Sequence, residues 1–212
     1  MILKLVTLFK IARKLALSDA LDIISKIYKV PLPIKIFFNL LGLFGKRNLE
    51  KNYNEEERLC RSMESMGITF IKLGQFLATR PDIIGVKLSD QLQTLQDKVP
   101  AFSREIALNE IKEGVGNENY KDFINISEPI AAASIAQVHK AQIKDNGVLK
   151  EVAIKVLRPN IKKVFNQEIE ALMLLAYVIE SLVKKTKRLK LVEVVFLLKE
   201  ITNHEMDLRF EA

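Results

Sequence analysis

From Ile2 to Lys29, apolar side chains recur at Leu5, Leu8, Phe9, Ala12, Leu15 and Ala16, with Lys4, Lys10, Arg13 and Lys14 between them. This is helical spacing. Pro31 and Pro33 break the pattern, and Ile34 to Phe44 predicts a second apolar segment that ends at Gly45-Lys46-Arg47. Asn54 followed by Glu55, Glu56 and Glu57 predicts an N-cap with acids in the first turn, opening a helix through Met66. Gly67 marks a break. The next helix is expected to carry Phe70, Leu73 and Leu77 on its core stripe, which places Lys72, Gln75 and Thr79 on a different face. Ser89 is expected to cap a helix from Asp90 to Lys98 that Pro100 stops, and Ser103-Arg104-Glu105 to start another over Ile106 to Glu113. The first 120 residues are thus expected to be helical.

The periodicity changes after Gly114-Val115-Gly116. Ile124 to Ile130 is short and bounded by turn formers, Gln137 to Ile143 alternates, Asp145-Asn146-Gly147 is a strong hairpin signal, and Glu151 to Leu157 is β-branched and apolar. Three antiparallel strands are predicted. Arg158-Pro159 terminates the last, and helices are expected at Val164 to Lys184 and about Leu191 to Phe210. Contiguous strands joined by hairpins after a helical half make the expected class α+β. Three parts are expected: an amphipathic helical region at 1–53, a helical extension at 54–120 and a sheet-bearing part at 121–212.

Composition narrows the function classes. Hydrophobic residues make up 49% and charged residues 28% of 212 positions, enough apolar material for a core and too much for disorder. The net charge of +7 favours anionic partners such as phosphates, nucleotides or acidic headgroups, and the absence of an aromatic-plus-basic signature argues against nucleic acid. Cys60 is the only cysteine, so no intrachain disulfide is possible and a reducing compartment is expected. The basic, apolar start lacks the long apolar core and small-residue cleavage site of a signal peptide. Ile34 to Gly45, interrupted by Asn39 and Gly42, falls short of the roughly 20 residues a spanning helix needs. Two readings of the first helix remain open: docking on its own protein, or lying on an anionic membrane surface with its cations toward the headgroups. The run Lys184-Lys185-Thr186-Lys187-Arg188 is expected to be a solvated linker.

The candidate chemistry lies in Ala131-Ala132-Ala133-Ser134-Ile135-Ala136-Gln137-Val138 and in Val152-Ala153-Ile154-Lys155. An alanine-rich turn stands here where a protein kinase carries its glycine-rich loop, with a lysine one hairpin later where a kinase pairs the α- and β-phosphates. Alanine matters because its Cβ disfavours positive φ and occupies space that a phosphate oxygen would use. A tight hairpin packed with small residues is the plainer alternative. His139 and His204 lack the neighbours of a triad or metal site and are expected to be structural, and no metal site is expected.

Several further motifs stand in order: Phe70-Ile71-Lys72-Leu73-Gly74-Gln75, Thr79-Arg80-Pro81-Asp82, Leu95-Gln96-Asp97-Lys98-Val99-Pro100, the alanine turn, Val152-Ala153-Ile154-Lys155-Val156 with Arg158-Pro159, and Glu205-Met206-Asp207 with Glu211-Ala212. Together, from about Met66 to Ala212, the chain resembles the UbiB family of atypical protein-kinase-like proteins, associated with ubiquinone biosynthesis. The resemblance implies a truncated kinase-like amino-terminal lobe behind a helical extension. It implies that Lys72, Gly74 and Gln75 belong to a signature helix that folds over the nucleotide cleft and blocks a protein substrate. Lys155 would be the phosphate lysine, the alanine turn the nucleotide lid, and Glu205, Asp207 and Glu211 the acidic group that meets the signature helix or Lys155. Ordinary kinase spacing would instead nominate Glu168 or Glu170 as the partner of Lys155.

The implied cofactor is ATP or ADP with Mg2+, and the implied setting is peripheral, at the inner face of the cytoplasmic membrane, in support of quinone ring hydroxylation. Biosynthetic enzymes of ubiquinone and a separate carboxy-terminal fragment are the implied partners besides nucleotide. The family's metal-binding and catalytic-loop motifs are expected beyond Ala212, so this chain is expected to bind nucleotide weakly without transferring phosphate. The reading from another class is a catalytically inert module that docks on membrane or on partner enzymes.

Overall fold

The computed structural model describes residues 2–17, 25, 30, 32–43, 53–95, 99–145, 147–182 and 184–210. The chain divides into two compact units, one of Met1–Gln96 with Lys163–His204, the other of Asp97–Lys162 with Glu205–Ala212.

In the first unit, α1 (Ile2–Leu17) and α2 (Leu32–Gly42) pack on each other through Ala12, Ala16 and Phe38, with Leu15, Ile34 and Leu41 at the margin. Helix α3 (Glu55–Met66) starts as expected. Asn54 Oδ1 accepts from the N–H of Glu57 at 2.8 Å, while Glu57 Oε2 accepts from the N–H of Asn54 at 3.1 Å, which satisfies two of the unpaired amides of a helix start. Gly67, at φ 107°, separates α3 from α4 (Ile68–Ala78). The buried stripe of α4 is Phe70, Ile71, Gly74 and Ala78 with Thr69, one step around from the predicted one, so Leu73 and Leu77 are half-buried.

A single helical turn, α5 (Pro81–Ile84), leads to α6 (Val86–Leu92). Ser89 does not cap a helix beginning at Asp90. It lies inside α6, buried, and its hydroxyl donates to Ala78 O at 2.6 Å, so the side chain ties two helices together. Helices α8 (Ile161–Leu182) and α9 (Leu191–Glu205) complete this unit, with a 3-10 segment Lys184–Leu189 between them. Helix α9 ends five residues earlier than expected, and 208–210 is a separate 3-10 turn.

In the second unit, Ser103 caps α7 (Arg104–Tyr120) by accepting from the N–H of Ile106. Gly116, at φ 83° and ψ 155°, is non-helical and breaks α7 into a longer first stretch and a short second one that ends at Tyr120. The sheet follows, with β1 (Phe123–Ile124), β2 (Pro129–Ala132), β3 (Ala136–Asp145) and β4 (Val148–Leu157). All pairings are antiparallel. β3 is central, β4 lies along one edge for its full length, and β1 and β2 share the other edge end to end. The predicted three-strand meander is therefore present with its first strand cut in two. Asn125, at φ 53°, and a bulge between Pro129 and Ala131 make the cut, and Ser127 bridges it by donating its N–H to Lys140 O at 2.8 Å. Of the predicted Asp145-Asn146-Gly147 turn, Asn146 lies outside the described residues and Gly147 has φ 82°. Ile111, Ile126, Ala141 and Val156 form the core between α7 and the sheet.

Candidate functional site

The register of β3 against β4 sets the site. Val138 pairs with Lys155, and Ala136 with Leu157, so the lysine stands two residues from the end of the strand and directly across from the strand that leaves the alanine turn. Cross-strand partners and alternate residues of a strand share a face, and successive residues do not. Lys155, half-buried, therefore shares its face with Val138, Lys140, Ala153 and Ala131, while Gln137, His139 and Ala141 turn to the α7 side, where all three are buried.

The alanine turn itself is not helical. β2 contributes Ala131 and Ala132, Ala133 closes the turn by donating its N–H to Ala136 O at 2.8 Å, and Ser134 and Ile135 form its tip. Both tip residues are buried. The Ser134 hydroxyl has no hydrogen-bond partner among the described residues.

Beneath the turn, Gln137 is fully committed. Its Oε1 accepts from the N–H of Phe102 at 2.9 Å, and its Nε2 donates to Phe102 O at 3.2 Å and to His139 Nε2 at 2.9 Å. His139 Nδ1–H donates in turn to Ser127 O at 2.8 Å, which fixes the tautomer that leaves Nε2 as the acceptor. The expectation that His139 is structural holds in this respect. Arg104 completes the support by donating Nε–H and Nη2–H to Ile126 O at 3.0 and 2.8 Å.

Arg158 stands in the sequence as a strand terminator and within one motif of the resemblance. It sits one position after β4 and binds the carbonyls of Val99, Ala133 and Ser134 through its guanidinium, whose pKa burial pushes down. The signal was the Arg158-Pro159 pair itself. Its partner carbonyls, up to 59 positions away, could not be read from it.

Lys72, Gly74 and Gln75, expected on a signature helix, belong to the first unit. On α4, Gln75 Nε2 donates to Leu95 O at 3.1 Å. Gly74 allows close packing, because a Cβ there would collide with Leu95 Cδ1 and stand 3.1 Å from Met63 Sδ. Lys72 is half-buried on the same helix. Thr69 Oγ1 donates to Glu168 Oε2, so one carboxylate nominated by ordinary kinase spacing is bound to α4; Glu170 is exposed on α8.

Of the acidic group, Glu205 is the last residue of α9 and Asp207 follows it outside any helix. The helix expected over about Leu191 to Phe210 stops between the two. Arg209 forks onto the Asp207 carboxylate through Nε and Nη2, and that hydrogen bonding holds its pKa down at about 2. Glu211 lies outside the described residues. His204 is exposed. Cys60 is buried beside Gln91 O, and burial pushes its thiol up to about 11, as suits a bystander. Among the described residues, no group of three or more His, Cys, Asp or Glu side chains is set to hold a metal ion.

Comparison with known proteins shows the family. The ABC1 atypical kinase-like domain matches residues 94–212, more than half of the chain. The chain belongs to this family. It is 35% identical over 197 residues to the probable protein kinase UbiB of Tolumonas auensis, covering 92% of this chain and 35% of that protein. The corresponding protein of Cronobacter sakazakii is 37% identical over 202 residues, with 94% and 36% covered, and that of Marinobacter nauticus 37% over 195, with 91% and 34% covered. The chain thus spans about a third of the length of these UbiB relatives. No solved structure matches.

Proposed function

We propose that this chain is the amino-terminal portion of a UbiB-like atypical kinase or ATPase that supports ubiquinone biosynthesis at its quinone-hydroxylation steps, and that the alanine turn and Lys155 hold the phosphates of ATP or ADP. The observation that carries this reading is the pairing of Lys155 with Val138, which puts an ammonium on the strand next to the one leaving the turn. A kinase lobe uses the same relation to neutralise α- and β-phosphates. Ammonium and peptide N–H groups suit phosphate oxygens. The described residues offer no ligand set for magnesium, so no step is assigned to the metal.

In this reading Lys72, Gly74 and Gln75 regulate the site, Gly74 and Gln75 by fixing α4 against Leu95, and the acids Glu205, Asp207 and Glu211 balance its cations. Weak nucleotide binding without phosphoryl transfer is the activity expected of the chain alone.

The test is titration of the full chain with ADP and ATP, for the natural sequence and for Lys155→Ala. A loss of about tenfold or more on removing the ammonium is expected. Equal affinities for the two chains would sink the reading.

A second reading, docking on an anionic membrane surface, is favoured by one observation. Val6, Phe9, Ile36, Phe37 and Leu40 are exposed on α1 and α2 beside the exposed cations Lys10, Arg13 and Lys35. No helix among the described residues is long and apolar enough to cross a membrane. Co-sedimentation with vesicles containing acidic lipid, compared with neutral vesicles, tests it.

A further inference from the structure

Strand β4 forms one edge of the sheet. Val148–Leu157 pairs with β3 in unbroken register, and among the described residues no other strand pairs with it. It contains no proline and no bulge, so its outer edge carries an uninterrupted row of main-chain groups, which is a template for another strand.

The far side of β3 sets which residues make up that row. Lys140 donates its N–H to Ser127 Oγ at 2.9 Å and accepts the Ser127 N–H at 2.8 Å, Lys144 donates its N–H to Asp122 O at 3.1 Å, and Ala136 O accepts from the Ala133 N–H at 2.8 Å. These three residues turn their main chain away from β4. Their partners Ala153, Leu149 and Leu157 therefore stand in the pairs that exchange no hydrogen bonds, with their own N–H and C=O toward the outer edge. Strand alternation adds Glu151 and Lys155 to the row. The Arg158 N–H, donated inward to Ile135 O at 2.9 Å, gives the same phase from the other end. Leu149, Glu151 and Ala153 are exposed, and Lys155 and Leu157 are half-buried.

The row Leu149, Glu151, Ala153, Lys155, Leu157 complements its own reverse. Laid antiparallel on a second copy with Ala153 against Ala153, leucine meets leucine and Glu151 meets Lys155 on both sides of the two-fold axis. The residues between them bring Val152 against Ile154, β-branched side chains that pack on the core beneath α7. Centring on Glu151 or on Lys155 would oppose like charges, and centring on Val152 or Ile154 pairs neither charge with its opposite. Glu151 already bonds Lys140 of its own chain at 3.0 Å, with both side chains more than half exposed, so the new rung sets its carboxylate between two cations.

We propose that this chain associates with a second copy of itself through β4, edge to edge and antiparallel about Ala153, making one sheet continuous across a two-fold axis. Helix α7 of each copy then lies on one face of the joined sheet and Lys155 of each on the other. This association goes beyond the nucleotide reading and does not depend on it.

The test is the mass of the full chain in solution, by light scattering and sedimentation over a concentration series. The natural chain is expected to be a reversible dimer. Ala153→Pro removes an N–H that the β3 ladder does not use, and is expected to weaken association by about tenfold or more. Glu151→Lys, which opposes lysines in both rungs, is expected to weaken it similarly, and the added change Lys155→Glu to restore most of the loss. Ala153→Cys is expected to form an interchain disulfide on mild oxidation, because hydrogen-bonded partners stand about 5.5 Å apart at Cα. Glu151→Cys, about 14 Å from its own copy, is expected to form far less.

A natural chain that is monomeric at every concentration overturns the proposal and leaves this edge to a strand from another protein. A dimer that ignores both Ala153→Pro and Glu151→Lys is joined elsewhere and overturns it too. So does a dimer that the charge exchange fails to restore, or one in which Glu151→Cys links as readily as Ala153→Cys, since either means another register. If Ala153→Pro does not fold, the exposed Glu151 variants and the two cysteine variants carry the comparison.

Discussion

The side-chain amide of Gln137 is paired in both directions with the backbone of Phe102, accepting its N–H at 2.9 Å and donating to its C=O at 3.2 Å. The pair works like one rung of a sheet built from a side chain, and it fixes the segment before α7 to the strand that leaves the alanine turn. Its exposure is nil, so water cannot replace it.

Gln137→Leu should therefore be among the most damaging single changes in the second unit. It strands a main-chain N–H, a carbonyl and His139 Nε2, and each buried unpaired group costs about 1–3 kcal/mol. A loss of roughly 3 kcal/mol or more in urea unfolding is expected. Gln137→Glu keeps the acceptor for Phe102 but loses both donors, so it should also destabilise. A stability within about 0.5 kcal/mol of the natural chain for either variant would show that the pairing contributes little.

Gly74→Ala tests close packing on α4. Alanine is favoured over glycine inside a helix by about 1 kcal/mol, while overpacking costs about 1–3 kcal/mol. Overpacking should win, because Leu95 is buried at 3% exposure and its carbonyl is held by Gln75, which leaves its side chain little room to withdraw. The melting temperature should fall. In a Leu95→Ala background, where the colliding methyl is gone, the same change should be neutral or stabilising, and a double-mutant cycle measures the coupling. Equal effects in the two backgrounds would place the cost elsewhere.

The Asp207 carboxyl should titrate near pH 2 in the folded chain, because Arg209 donates to its charged form. Its ordinary value is about 3.9. A depressed folded value means that the folded state binds fewer protons, so the stabilisation is complete above the unfolded value and disappears as pH falls through the folded one. In Arg209→Ala the side-chain resonances of Asp207 should titrate close to the ordinary value, with the stability difference between the two chains vanishing at the acid end. An unmoved titration would mean that Arg209 is not the cause.

What could be read in the sequence was what neighbouring residues decide. The Asn54 and Ser103 caps, the helical character of both long segments and the strand carrying Lys155 all depend on residues within a few positions. The misread places depend on distant contacts. Ser89 looks like a cap until its hydroxyl donates a hydrogen bond to the carbonyl of Ala78, 11 positions away. Arg158 closes a strand in the local pattern and organises a turn 24 and 25 positions upstream in the fold. The candidate site was legible as a pair of motifs, because Lys155 and the alanine turn are joined by one hairpin. Its supporting groups were not, because Gln137 and Phe102 are 35 positions apart and no periodicity links them.

The interrupted edge of the sheet has a kinetic consequence. β1 is bonded to β3 at Gln142 and Ile143, and β2 near Gln137 to His139, with Asn125 and the bulge between them. An unbroken strand must peel from its end, each lost rung loosening the next. Here β2 and the turn it carries can open as a short cooperative unit while β1 stays zipped, at a free energy well below that of global unfolding. The rate at which the turn opens is then set by a handful of rungs rather than by the melting of the sheet.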